Sequence, residues 1–339
     1  MLRSFAHPAP LLDGASILIT GGTGSFGQKL VATLLARHKP KRIIVFSRDE
    51  QKHYDMAQTF RATDHPSLRF FIGDVRDKDR LEMAMREIDF VVHAAALKHV
   101  PAAEYNPFEC IRTNVHGAEN VVGAALRCGV KRVVALSTDK AVNPVNLYGA
   151  SKLAADKIFV AANNLAGSLP TRFSVVRYGN VVGSRGSVVP LYRKLMAEGA
   201  KSLPVTDARM TRFWVTLQQG VDFVLASLDM MHGGEIFIPK LPSMKIVDLV
   251  KLMAPSLKPE IVGIRPGEKL HEALLTEDDA RTTFALKDRF VVEPQFAFWN
   301  RARYDAADIE SLPEGFRYTS DNNAEWLDDG TFKKVLAEL

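Results

Sequence analysis

The chain has 339 residues, enough for one large domain or two closely packed ones, and its 47% apolar and 24% charged residues exclude a disordered chain. No apolar run approaches the roughly eighteen residues of a membrane span, and the opening MLRSFAHPAPLLDGAS lacks the apolar stretch of a secretory signal. Forty-four Lys and Arg against 39 Asp and Glu leave a net charge of +5, scattered rather than in runs; this argues against a nucleic-acid surface and fits a small polyanionic ligand.

Cys110 and Cys128 are too few for a disulfide framework or a four-ligand zinc site, so no metal is expected and a cytoplasmic protein is the default expectation. In chain order, the spacing predicts strands at Ser16–Thr20, Arg42–Ser47, Leu68–Ile72, Phe90–Ala94, Arg132–Ser137 and Phe173–Tyr178. Helices are predicted between them at Gly24–Arg37, Arg48–Phe60, Lys78–Met85, Pro107–Cys128 and Leu147–Asn164. This alternation implies an α/β fold, a doubly wound parallel sheet with helices on both faces and ligands beyond the carboxyl ends of the strands. From about residue 184 the segments shorten and prolines multiply (Pro190, Pro204, Pro239, Pro242). A nucleotide-binding domain over 14–183 and a smaller, irregular α/β substrate region with a tail over 184–339 are expected, with some chain crossing between them.

The first strand runs into Gly21, Gly22, Thr23, Gly24, Ser25, Phe26 and Gly27. Gly21 permits a tight turn, Gly24 lets a pyrophosphate approach the backbone, and Gly27 lets the following helix pack on the strand. About twenty residues on, where the ribose is read, come Arg48, Asp49 and Lys52. Arg48 suits the 2′-phosphate of NADP, and Asp49 keeps NAD open. After the third strand, Asp74 offers an acceptor to adenine and Val75 a packing surface; after the fourth, Ala94 lets a cofactor lie close to the sheet and Lys98 follows.

Of seven tyrosines, only Tyr148 has a lysine four residues on, Lys152, one turn along the same helix face. A neighbouring ammonium lowers a phenol pKa, which suits proton transfer near neutrality. Just upstream, Asp139 and Lys140 follow the fifth strand, an acid able to protonate a leaving hydroxyl beside an amine able to take a proton. The forked guanidiniums of Arg185, Arg209, Arg212 and Arg265 suit a diphosphate.

These motifs, TGGTGSFG (20–27), the alanines after the fourth strand and Tyr148-x-x-x-Lys152, resemble the extended short-chain dehydrogenase/reductase superfamily, with its Rossmann-like sheet. HAAALKHVPAAEYNPFECIRTN, LSTDKAVNPVNLYGASK, RYGNVVGSRGSVVP, TDARMTRFW and IRPGEKLHE are similar to one branch, the inverting UDP-N-acetylglucosamine 4,6-dehydratases of the PseB type. The resemblance runs from about residue 14 to the tail; the leading dozen residues fall outside it. It implies NADP held by Thr23, Ser25, Phe26, Arg48, Lys52, Asp74, Val75, Tyr148 and Lys152, and chemistry at Asp139, Lys140 and Tyr148. It also implies UDP-sugar contacts at Lys98, Asn180, Arg212, Arg265 and Glu268, and a homo-oligomer, a dimer or hexamer.

The implied reaction oxidises sugar C4, with Tyr148 taking the hydroxyl proton, and Asp139 protonates the C6 hydroxyl as it leaves. Hydride then returns to C6, and inversion at C5 gives a UDP-linked 4-keto-6-deoxy-L-arabino sugar, the first step toward pseudaminic acid and flagellin glycosylation. Lys140 is the expected C5 base, its pKa lowered by burial beside the nicotinamide. A nucleotide-sugar 4-epimerase or dehydrogenase would share the glycines and Tyr148 but has no need of an Asp–Lys pair; an NADP-sensing module needs neither.

Overall fold

The computed structural model describes residues 3–5, 9–61, 63–184, 186–296, 299, 301 and 304–337. Its first half alternates strand and helix: β1 (Ser16–Thr20), α1 (Ser25–Arg37), β2 (Arg42–Ser47), α2 (Glu50–Thr59), β3 (Leu68–Ile72), α3 (Lys78–Met85), β4 (Phe90–His93), α4 (Val100–Tyr105), α5 (Pro107–Ile111), α6 (Gly117–Cys128), β5 (Arg132–Thr138), α7 (Leu147–Leu165) and β6 (Arg172–Tyr178). The six expected strands are therefore present with ends within a residue. They are legible because strands buried on both faces read as short continuous apolar runs closed by turn residues. The helix expected over 107–128 is interrupted by a π-turn at Arg112–His116, and α4 was not anticipated.

The second half contributes β7 (Asn180–Val181), α8 (Val188–Ala197), β8 (Ser202–Val205), β9 (Thr211–Val215), α9 (Leu217–Met230), β10 (Ile236–Pro239), β11 (Ser243–Lys245), α10 (Ile246–Met253), β12 (Lys258–Ile261), β13 (Ala273–Leu275), α11 (Glu277–Ala280), β14 (Thr283–Ala285), β15 (Arg289–Val292), β16 (Glu310–Ser311), β17 (Tyr318–Thr319) and α12 (Asp329–Ala337). One sheet dominates, in the order β16-β14-β15-β10-β6-β5-β4-β1-β2-β3. From β3 to β10 every pairing is parallel; β15, β14 and β16 add antiparallel strands at one edge.

The chain crosses the expected boundary at 183 repeatedly. β10 extends the parallel sheet beside β6, and Val221, Phe223, Val224 and Leu228 of α9 join the same core as β1 and β5. A second core is built from Val189, Tyr192, Trp214, Leu249, Val250 and Phe332, under β7, β9 and β11. The leading segment is part of the fold: the Phe5 ring stands edge-on to Phe223 at 5.0 Å, and the Arg3 carbonyl accepts from the Gln219 amide at 2.7 Å. Among the described residues, no helix is long and apolar enough to cross a membrane.

The sheet order places the carboxyl ends of β2, β1, β4, β5 and β6 side by side. The strand order reverses between β1 and β4, which opens a crevice there.

Candidate active site

At the end of β1 the chain turns through Gly21, whose φ is +65°. A Cβ at Gly21 would lie 2.8 Å from the Ala95 amide nitrogen, and one at Gly27 would lie 2.3 Å from the Gly22 carbonyl oxygen. Hence only glycine lets this turn press on the residues after β4 and lets α1 close on the turn. Gly24 is the N-cap of α1 and offers no capping side chain, so Ser25 and Phe26 begin the helix at an open amino end suited to an anion. Thr23 is buried beneath, its hydroxyl donating to Ser47 at 2.8 Å. These residues fit a dinucleotide pyrophosphate.

Around this cradle the ribose-reading groups are sorted. Asp49 caps α2, accepting from the Lys52 backbone at 3.1 Å and pairing with its ammonium at 2.7 Å. Arg48 stays half exposed, 3.5 Å from Asp74. Asp74, expected to face adenine, is gripped by Arg76, whose guanidinium donates to Oδ2 at 2.7 and 3.0 Å; despite partial burial these bonds hold its pKa below the usual carboxylate value. Val75 is buried and Ala94 half-buried at the mouth of the crevice.

Beyond β5 the chemistry-bearing groups collect. Thr138 donates to Asp139 Oδ1 at 2.8 Å and accepts from the Lys140 amide, which fixes a short turn, Asp139–Ala141. α7 begins at an Asn146 cap and presents Tyr148 and Lys152, both buried, on one face. Lys152 Nζ donates to the Leu136 carbonyl at 2.7 Å, and its pKa is lowered by burial. Burial pushes the Tyr148 phenol up to about 12, and the charge opposing that rise is Lys140. The expectation that Lys152 would lower Tyr148 is thereby corrected, because Lys152 is tied to the strand backbone.

Asp139 is 1% exposed, and burial raises its carboxyl above the ordinary aspartate value. Lys140 Nζ lies 3.0 Å from Asp139 Oδ1 and 3.2 Å from Glu272 Oε1. Burial pulls the lysine pKa down as expected, but the two carboxylates outweigh it and hold it above the usual lysine value. The expected lowered Lys140 is thus replaced, in this arrangement, by an ammonium.

The expected substrate contacts are dispersed. Asn180 sits in β7 at the end of β6, with Oδ1 buried and unpartnered among the described residues. Lys98 is exposed on the loop before α4. Arg212 is nine-tenths buried, its donors given to the carbonyls of Thr211, Lys269 and Leu270, with Nε 3.6 Å from Glu272. It organises the loop before β13 rather than offering its fork to a diphosphate, which corrects that expectation. Arg265 and Glu268 pair with each other at 3.1 Å across a turn; Arg209 is exposed and paired with Asp207; Arg185 lies outside the described residues.

Three contributors were missed by sequence reasoning. Glu272 reads there as one more charge in Glu268-Lys269-Leu270-His271-Glu272. Gly149 lets α7 approach the Asp139 turn so closely that a Cβ would lie 2.1 Å from the Lys140 carbonyl oxygen. Asn114, in the π-turn, bonds the Leu97 amide at 2.8 Å, the Leu97 carbonyl at 3.0 Å and the Ser151 hydroxyl at 2.9 Å, fastening the loop after β4 to α7. A π-turn inside a helix is a recognisable marker of functional sites, but no residue pattern announces it.

Residues 17–294 match the family described as Polysaccharide biosynthesis protein. The chain is 56% identical over 331 residues to the UDP-N-acetylglucosamine 4,6-dehydratase (inverting) of Campylobacter jejuni, covering 96% of this chain and 98% of that one. It is 40% identical over 331 residues to the UDP-glucose 4-epimerase of Rickettsia conorii, covering 96% of each. Among solved structures it is similar to Pen from Bacillus thuringiensis, with 36% identity and a TM-score of 0.87 over 96% of this chain and 98% of that one.

Proposed function

This chain belongs to the family of inverting UDP-N-acetylglucosamine 4,6-dehydratases, and we propose that it carries out that reaction on UDP-N-acetylglucosamine, with NADP as its resident cofactor. When bound, the nicotinamide would supply reversible hydride acceptance, taking hydride from C4 and returning it to C6 as C5 is reprotonated, so that no external reductant is consumed. Tyr148 takes the C4 hydroxyl proton as C4 becomes a ketone. The ketone acidifies the C5 proton; Lys140 removes it while Asp139 protonates the C6 hydroxyl, which leaves as water. Reprotonation of C5 from the opposite face inverts that centre.

The observation that carries this reading is the Asp139–Lys140 pair at the end of β5, its carboxylate buried and its amine about a quarter exposed, beside Tyr148. An acid and an amine in contact at a strand's carboxyl end, within reach of a phenol, supply the two proton-transfer groups an elimination needs. An epimerase, the activity named for the Rickettsia relative, needs the cradle and Tyr148 but no acid–base pair. NADP over NAD is supported by the commitment of Asp49 to capping α2, which leaves Arg48 as the half-exposed group at the ribose position.

Incubating the protein with UDP-N-acetylglucosamine tests the proposal. A product lighter by one water and inverted at C5 by NMR is expected; a product of unchanged mass would favour the epimerase.

A further inference from the structure

Glu272 takes no part in the chemistry assigned above, yet it is 2% exposed and lies against the residues that do. Its Oε1 accepts from Lys140 Nζ at 3.2 Å with Arg212 Nε 3.6 Å away, and Lys269 Nζ lies 3.8 Å from Oε2. Its own backbone amide donates to the Ser320 hydroxyl at 2.9 Å, so the carboxylate is presented from a fixed frame. The cations lower its pKa despite burial. A carboxylate placed this way is a structural element of the Asp139–Lys140 pair, brought from the distant segment before β13.

The elimination needs two neighbours in unlike states, an amine without its extra proton and a carboxyl with one. The Asp139–Lys140 contact holds one exchangeable proton, and the ion pair and the neutral pair differ only by its passage along that 3.0 Å hydrogen bond. When the neutral pair acts, the C5–H bond breaks toward Nζ and the C5–C6 double bond forms. The C6–O bond breaks as oxygen takes the Asp139 proton and leaves as water. The pair is left as ammonium and carboxylate, and transfer of one proton from Nζ to Oδ1 resets it.

We propose that Glu272 is a positioning residue for this elimination, holding Lys140 against Asp139 so that the pair's single proton passes between them in each turnover. The proposal rests on the dehydratase reading. The Glu272 charge bears on both partners, opposing ionisation of Asp139 and, 3.2 Å from Nζ, holding Lys140 as the ammonium, so its part in the elimination is to place Nζ against Oδ1 rather than to set which of the two carries the proton. Oxidation at C4 relies on Tyr148 and needs no proton passed between Lys140 and Asp139.

The test compares Glu272→Gln and Glu272→Asp with wild type, on protein checked by circular dichroism, by stopped flow with UDP-N-acetylglucosamine. Reduced-nicotinamide absorbance reads the C4 step and product mass reads water loss. In Glu272→Gln, water loss is expected to fall about 100-fold while the C4 step, which feels Lys140 only through its charge on Tyr148, slows by no more than about threefold. Glu272→Asp, which retains the charge, is expected to recover most of the lost rate. Parallel slowing of both steps, or unchanged water loss, overturns the proposal. Should Glu272→Gln fail to fold, Glu272→Ala decides it: selective slowing of water loss supports the role, and parallel slowing or no change overturns it. A wild type that returns an isomer of unchanged mass overturns the dehydratase reading and this proposal together, whereas a wild type that loses water beside a variant slowed equally in both steps overturns the role of Glu272 alone.

Discussion

Burial pushes the Tyr148 phenol up to about 12, and the charge working against that rise belongs to Lys140 rather than to Lys152. Tyr148 is therefore a phenol near neutrality, and under the proposed reaction it accepts the C4 hydroxyl proton only as it passes its own on, a loss that the Lys140 charge and the Thr138 hydroxyl both favour. Tyr148→Phe removes the acceptor for the C4 hydroxyl proton and should lower the C4 step by about 10²–10⁴-fold with substrate affinity little changed. An undiminished burst of reduced nicotinamide on adding substrate would remove Tyr148 from that role. At the ribose end, Arg48→Ala deletes one charge-assisted contact and should weaken NADPH binding by about 10- to 100-fold, leaving NADH binding as it was. Equal losses for both dinucleotides in fluorescence titrations would show that Arg48 does not read the 2′-phosphate.

At the scale of the element, the site depends on how closely α7 approaches the turn after β5. The Asn146 side chain caps α7 through the Gly149 amide at 2.7 Å and also donates to the Gly267 carbonyl at 2.8 Å, which ties the helix start to the loop bearing Glu268 and Lys269. Gly149→Ala would drive a methyl into the Lys140 carbonyl and part Tyr148 from the Asp139–Lys140 pair. It should cost about 1–3 kcal/mol of stability and, through misplacement, about 10²-fold in turnover. Gly220, inside α9 with open space at its Cβ position, is the control: Gly220→Ala should leave turnover intact and raise stability by up to about 1 kcal/mol. Denaturant melts and steady-state rates on both variants check the contrast; equal effects would mean that the close approach at 149 does not matter.

Across the whole molecule, the central sheet carries a pH-sensitive group in its interior. His93, at the end of β4, is fully buried with Nδ1 2.8 Å from the Thr20 hydroxyl. Burial, aided by the Lys152 charge, lowers its pKa to about 3. The unfolded chain takes up a proton there near pH 6.5 while the native protein does not, so the stability His93 contributes is complete above pH 6.5 and declines toward pH 3. Between pH 6.5 and 5 the decline is about 2 kcal/mol. His93→Asn should remove that part of the acid slope in urea melts, and an unchanged slope would refute the assignment. Behind Lys152, a second buried network joins α7, β6 and α11: Arg177 lies 3.4 Å from both Asp156 and Asp279, and Ser137 donates to Asp156 at 2.8 Å.

The parallel half of the sheet, the glycine turn after β1 and the polar residues gathered after β5 were legible along the chain. Those features are local: a buried strand is a contiguous apolar run, Gly27 answers to Gly22 within the same turn, and Tyr148 and Lys152 are one helical turn apart. That β10 lies beside β6, that β14 to β16 widen the sheet and that the leading residues pack on α9 came with folding alone, since those partners are remote along the chain and short segments carry little periodicity. Folding also decided the electrostatics. Glu272 is one acid in a charged run until folding buries it 3.2 Å from Lys140, and a pKa follows from burial and neighbours in space, which no spacing along the chain records.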